Sequence, residues 1–196
     1  EWDLDKIRTK NIADNVVELM TAKILKLAPE VRDALMLAAS LGAHCDEEIL
    51  RIINRAPEQR ANILAALDVA EAEGLMVKSK SAYRFSHDQI QRAAYLLVPG
   101  PEREAYHLAI GRRLWRNATP EELETYLFAV IDQMHRGAHL ISNHNEKVNF
   151  AQLCLLAGQK AAAKCAFLPA LFYFKHGIGL TVSDDWESHR ELCLDL

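Results

Sequence analysis

The stretch Leu75-Met76-Val77-Lys78-Ser79-Lys80-Ser81-Ala82-Tyr83-Arg84-Phe85 is where a helix-rich chain changes texture. Leu75–Lys78 and Ala82–Phe85 are short β-competent runs around a Ser-Lys-Ser turn, and they predict a β-hairpin. Ser86-His87-Asp88-Gln89 follows at once. Its spacing reads as a capping box, in which Ser86 caps a helix and Gln89 reaches back. That places His87 in the first helical turn, beside free backbone N–H groups and the positive end of the helix dipole, where an anion is favoured. The helix carries Ile90, Ala93, Ala94, Leu96 and Leu97 as far as Pro99-Gly100-Pro101.

Working back from the hairpin, Val16, Leu19, Met20, Lys23, Ile24 and Leu27 predict an amphipathic helix ending near Ala28-Pro29. Pro29 suits the first position of a second helix, with Leu35, Leu37, Ala38 and Leu41 apolar and Gly42 as its stop. Asp46-Glu47-Glu48 opens a short third helix through Ile49, Ile52 and Ile53. Pro57 opens a fourth, with Ile63, Leu64, Leu67 and Ala70 on one face and Gly74 at its C-terminal end. Three helices and a hairpin between residues 29 and 86 have the order of a winged helix-turn-helix.

Beyond Pro99–Pro101, which marks an expected domain boundary, the chain reads as helices over 102–117, 120–141, 146–164 and 167–181. Thr119-Pro120-Glu121-Glu122 is a second capping box, with proline at the first helical position. Gly158, Ala170, Phe174 and Gly177 have the small, small, aromatic, small spacing of a tetratricopeptide (TPR) unit, which lets two antiparallel helices approach closely. The expected fold is therefore mainly α: a winged helix with one β-hairpin, followed by an antiparallel TPR-like helical array.

The composition of the 196 residues is half hydrophobic with 26% charged, enough apolar content for a core and unlike a disordered tail. A net charge of −4, spread evenly between residues 1–100 and 101–196, offers no basic half to nucleic acid or anionic lipid. Cys45, Cys154, Cys165 and Cys193 form no C-x-x-C pair and read as reduced, buried thiols of a cytoplasmic chain. No apolar run is long enough to span a membrane, and no membrane partner is expected.

No G-x-x-x-x-G-K-[ST] loop and no G-x-S-x-G elbow occurs, so no catalytic residue is assigned and no enzyme activity is expected of these residues. His135 and His139 stand one helical turn apart with His144 nearby, but Arg136 replaces the glutamate of a zinc-hydrolase motif, and no metal site is assigned. The helix in the recognition position, Glu58 to Glu73, holds Glu58, Asp68, Glu71 and Glu73 against Arg60 alone, which repels phosphate. A DNA-binding role, despite Lys78, Lys80 and Arg84 on the hairpin, is therefore disfavoured, as is any other nucleic-acid partner.

Trp2-Asp3-Leu4-Asp5-Lys6-Ile7, Asn11–Met20, Leu37-Ala38-Ala39-Ser40-Leu41-Gly42, Tyr83-Arg84-Phe85-Ser86-His87-Asp88, Ala93-Ala94-Tyr95, Leu156-Ala157-Gly158 and Trp186-Glu187 together resemble one region of very large signalling proteins. In those proteins a serine/threonine kinase-like domain precedes a STAND-type AAA-like ATPase, followed by GAF and sensor histidine kinase modules. The resemblance implies three parts: a helical linker from an upstream ATPase core (1–27), a winged helix (28–99) and a TPR-like α-helical domain (100–196). It implies that ADP or ATP is a cofactor of the parent protein rather than of this stretch. Phe85-Ser86-His87-Asp88 resembles the M-H-D-type motif of that family, with Ser86 in place of methionine. His87 and Asp88 then correspond to the motif's histidine and aspartate. The resemblance assigns His87, with Asp88 and Ser86, to contact with the β-phosphate of ADP bound in an adjacent domain of the same chain. A protein partner on the TPR-like helices is the alternative expectation.

Overall fold

The structure is a computed structural model and describes residues 11–55 and 62–196, with side chains described from residue 16 onward. The described residues are mainly helical, with one small three-stranded antiparallel sheet. They form two compact units, one running through Ala118 and the other from Thr119 to Leu196. Sequence punctuation places a boundary at Pro99–Pro101, whereas Arg103–Asn117 belongs to the first unit. That helix packs on Glu47–Asn54, Arg113 donates to the Ile53 carbonyl at 3.0 Å, and Asn117 donates to the Ile52 carbonyl at 3.0 Å.

In the first unit the elements are α1 (Asn11–Leu25), α2 (Pro29–Leu41), β1 (His44–Asp46), α3 (Glu47–Asn54), α4 (Ile63–Ala72), β2 (Met76–Lys78), β3 (Ala82–Phe85), α5 (Asp88–Leu96) and α6 (Arg103–Asn117). Pro29 occupies the first turn of α2, and Asp46 caps α3 by accepting the Glu48 N–H at 2.8 Å. Asn62 caps α4 by accepting from Leu64 and Ala65. The start expected at Pro57, with Glu58 and Arg60, lies outside the described residues. Gly74, at φ +72°, takes the left-handed conformation that ends α4 and sends the chain into β2.

The sheet order is β1-β3-β2, with β3 central. The hairpin is as expected, but β1 is an addition: His44 pairs with Arg84, Cys45 with Tyr83 and Asp46 with Ala82. Alternation puts Cys45, Met76, Tyr83 and Phe85 on the core face and His44, Val77 and Arg84 on the other. α5 packs against α1 and α2, and α2 also packs on α4. In α1 the buried side chains are Val17 and Ile24, while Leu19 is 64% exposed, so Ile24 faces the core as expected but Val17 takes the place expected of Leu19.

The second unit contains α7 (Pro120–His135), α8 (His144–Ala163), α9 (Phe167–Leu180), α10 (Asp185–Ser188) and α11 (Arg190–Asp195), with a short 3-10 turn over Ala138–Leu140. The Thr119/Glu122 capping box forms with both of its bonds. α7 stops at His135, six residues before the expected end, so His135 and His139 do not share one helix. α8 and α9 pack against each other more extensively than any other helix pair among the described residues. A Cβ on Gly158 would clash with the edge of the Phe174 ring, and one on Gly177 would clash with Leu196. The small–aromatic spacing thus corresponds to a real interlock. All four cysteines are free thiols; Cys45 and Cys154 are buried as expected, but Cys165 is exposed at φ +58° and Cys193 is half-buried. No helix among the described residues is long and apolar enough to cross a membrane.

Candidate functional site

Ser86, His87 and Asp88 sit together where β3 hands over to α5, and all three are exposed. The chain stays extended one residue longer than the sequence suggests. Ser86 gives its backbone N–H to the Leu75 carbonyl at 3.1 Å, and His87 remains extended at φ −154°, ψ 145°. His87, not Ser86, is therefore the cap. Its Nδ1 accepts the Gln89 N–H at 3.1 Å, and its carbonyl takes the Ile90 N–H at 2.9 Å. The reciprocal bond expected of Gln89 does not form, and the Gln89 Oε1 is buried without a hydrogen-bond partner.

The cap fixes the chemistry of the imidazole. An Nδ1 that accepts a hydrogen bond carries no proton, so in the neutral ring the proton is on Nε2. The exposed ring then offers a single N–H donor outward from a helix N-terminus. Asp88, the first helical residue, complements the helix dipole with its carboxylate. The arrangement offers an imidazole N–H and the Ser86 hydroxyl beside a carboxylate, which suits one directed hydrogen bond better than capture of an anion by charge.

The helix behind this cap is held firmly. Ala93 and Ala94 are fully buried, and their small side chains let α5 lie close against α1 and α2. Tyr95 hydrogen-bonds His107 Nε2 at 3.0 Å, and the Arg103 guanidinium lies 5.0 Å over its ring. His107, only 2% exposed, was not singled out from sequence. Its partner lies twelve residues away across an irregular Pro-Gly-Pro segment, where no helical or strand period applies.

On the hairpin, Lys78 is already engaged. Asp68 on α4 accepts from Lys78 Nζ at 2.7 Å and from the Tyr83 hydroxyl at 2.6 Å, and the Lys78 ammonium lies 5.0 Å over the Tyr83 ring. The Lys78 hydrogen bond first, and then that of Tyr83, holds the Asp68 carboxyl below the usual range. Asp68 and Glu71 on α4, with Glu73 at its C-cap, leave this helix acidic.

The histidines noted from spacing do not assemble as a ligand set, although His135 and His139 lie near one another. His144 bonds the buried Asp185 at 2.9 Å, and His135 packs on His176 with ring centroids 3.7 Å apart. Among the described residues, no three His, Cys, Asp or Glu side chains converge as metal ligands.

No known family profile and no solved structure matches the chain. It is similar to a Dictyostelium discoideum protein named Hybrid signal transduction histidine kinase G, 22% identical over a 257-residue alignment. The match takes in 100% of this chain but 7% of that much longer protein, so the likeness is distant and links the chain to signal transduction at that level.

Proposed function

We propose that these residues form a non-catalytic regulatory module of a cytoplasmic signal-transduction ATPase, in which a winged helix closes over ADP held by an adjacent nucleotide-binding core of the same chain. The helix–strand–helix–helix–strand–strand order of α2 to β3, with β3 central, supports the winged-helix reading. The Gly158–Phe174 interlock supports the TPR-like one. The observation that carries the function is His87: an exposed imidazole whose Nδ1 is committed to the cap, leaving Nε2–H as a directed donor for a β-phosphate. Ser86 and Asp88 flank that contact. ADP must bind the closed state more tightly than the open one, and the His87 hydrogen bond supplies part of that difference.

The test is ADP release from the intact parent protein. His87→Ala and His87→Asn are both expected to speed release and raise basal signalling, because neither retains an imidazole donor. Unchanged release and output in both would sink the reading.

A second reading, a protein-interaction scaffold, is favoured by one observation: α9 leaves Phe167, Leu168, Leu171 and Ile178 between 48% and 82% exposed. A DNA-binding reading is weakened by the engagement of Lys78 with Asp68 and by the acidity of α4.

A further inference from the structure

The second unit contains a cavity of about 360 Å³ between the end of α7, the first turns of α8 and the end of α9. Its ionisable lining is entirely basic: His135, His139, Lys147 and His176, with no carboxylate among them. Phe150 and Leu180 supply apolar walls. A pocket of this size sits at the lower end of the range for small-molecule sites, enough for a single-ring metabolite.

Basic side chains at helix C-termini have an ordinary explanation, since they complement the negative end of the helix dipole. That accounts for His135 at the end of α7 and His176 near the end of α9. It does not account for Lys147. This lysine lies in the opening turns of α8, one residue after Glu146, whose carboxylate already complements that positive helix end, and no salt bridge to Lys147 forms among the described residues. Burial holds both the His135 and His176 imidazoles below their ordinary pKa, so neutral rings line the cavity as hydrogen-bonding groups beside the lysine charge.

We infer that this cavity binds a small organic anion, with a carboxylate or phosphate head on Lys147 and the imidazoles and an apolar body against Phe150 and Leu180. An oxyanion would neutralise the Lys147 ammonium within a lining that holds no carboxylate. The site is separate from His87 and does not depend on the nucleotide reading.

Isothermal titration calorimetry of the whole 196-residue chain at constant ionic strength tests it, with benzoate and inorganic phosphate as probes. Saturable millimolar binding of benzoate is expected, with phosphate binding more weakly because it has no apolar body. Lys147→Gln should weaken benzoate at least about tenfold, the loss of one charge-assisted hydrogen bond. Gly179 lines the cavity, and nothing lies within 4 Å of where its Cβ would be. Gly179→Leu should therefore block binding by filling the space while leaving the charges intact. Lys164→Gln, outside the lining, should bind as the parent chain does. Far-UV circular dichroism checks that each variant folds, and Lys147→Gln decides alone if Gly179→Leu does not. Absence of saturable heat from both probes, or unchanged affinity in Lys147→Gln, overturns the site. Phosphate binding without benzoate binding overturns the apolar body.

Discussion

His87 uses its two ring nitrogens differently, and that division can be tested in the chain alone. Nδ1 caps α5, so His87→Ala is expected to cost about 0.5–1 kcal/mol by urea denaturation, the usual loss of a side-chain cap. Asparagine is among the strongest capping residues, so His87→Asn should recover that stability while still lacking the imidazole donor. A pair of variants thus separates the structural role from the proposed signalling role. The sequence brought Ser86, His87 and Asp88 into view but put the cap one residue early. A serine three residues before glutamine satisfies the capping pattern, while the extra extended residue is imposed by the Ser86–Leu75 backbone bond across the hairpin. Asp185 offers a second test at this scale. The Val182 N–H, and then His144, hold its carboxyl below the usual aspartate range. Its stabilising contribution is therefore complete above the unfolded-state aspartate value of about 4 and is lost as pH falls through the lower folded value. Chemical denaturation monitored by Trp186 fluorescence should show that Asp185→Asn reduces the loss of stability between neutral and acid pH. An identical acid limb in the variant would contradict the assignment.

At the scale of elements, glycines in helical hairpins separate close approach from mere tolerance. Gly158 faces the Phe174 ring across the α8–α9 contact, whereas Gly179 on the same hairpin faces open space. Gly158→Ala is expected to destabilise by about 1–3 kcal/mol through overpacking. Gly179→Ala should be neutral or stabilising by up to about 1 kcal/mol, since alanine is the better helix former. Equal effects at the two positions would mean that the interlock does not set the helix spacing. A parallel test concerns the hairpin. Tyr83→Phe removes the hydroxyl from Asp68 and should cost about 1 kcal/mol in thermal or urea melts. The α8–α9 pair was legible because small and aromatic residues recur at helical spacing, and the β2–β3 hairpin because two short β-competent runs flank a Ser-Lys-Ser turn. β1 was not: His44-Cys45-Asp46 has no β-branched residue, and its strand character comes from pairing with β3 rather than from local preference. The core face of α1 was misjudged at Leu19, though not at Ile24, for a similar reason. Val16, Leu19 and Met20 fit a helical stripe as well as Val17 does, and only packing on α5 decides between them.

At the scale of the whole molecule, the division into compact units changes how the charge is understood. Halves split at residue 100 carry equal net charge, but the units do not: residues 1–118 are neutral and residues 119–196 carry the entire −4. The sequence masked this because the arginines of α6, placed by punctuation in the second half, belong to the first unit through Arg113 and Asn117. Under the proposed role, neutrality lets the first unit approach a bound nucleotide without repelling it, and it also means that no net field on that unit would capture a polyphosphate. A single exposed imidazole N–H beside the Asp88 carboxylate supplies one hydrogen bond, worth about 1.5–3 kcal/mol with a charged partner, against about 8 kcal/mol for micromolar affinity. The remainder has to come from a phosphate-cradling loop, and none occurs in this sequence. The 196-residue chain alone is therefore expected to give no micromolar heat with ADP or ATP in calorimetry, while the intact parent retains ADP in a His87-dependent way. Micromolar nucleotide binding by the isolated chain would show that its own residues make a complete site. His87 would then cease to be a sensor of nucleotide held elsewhere.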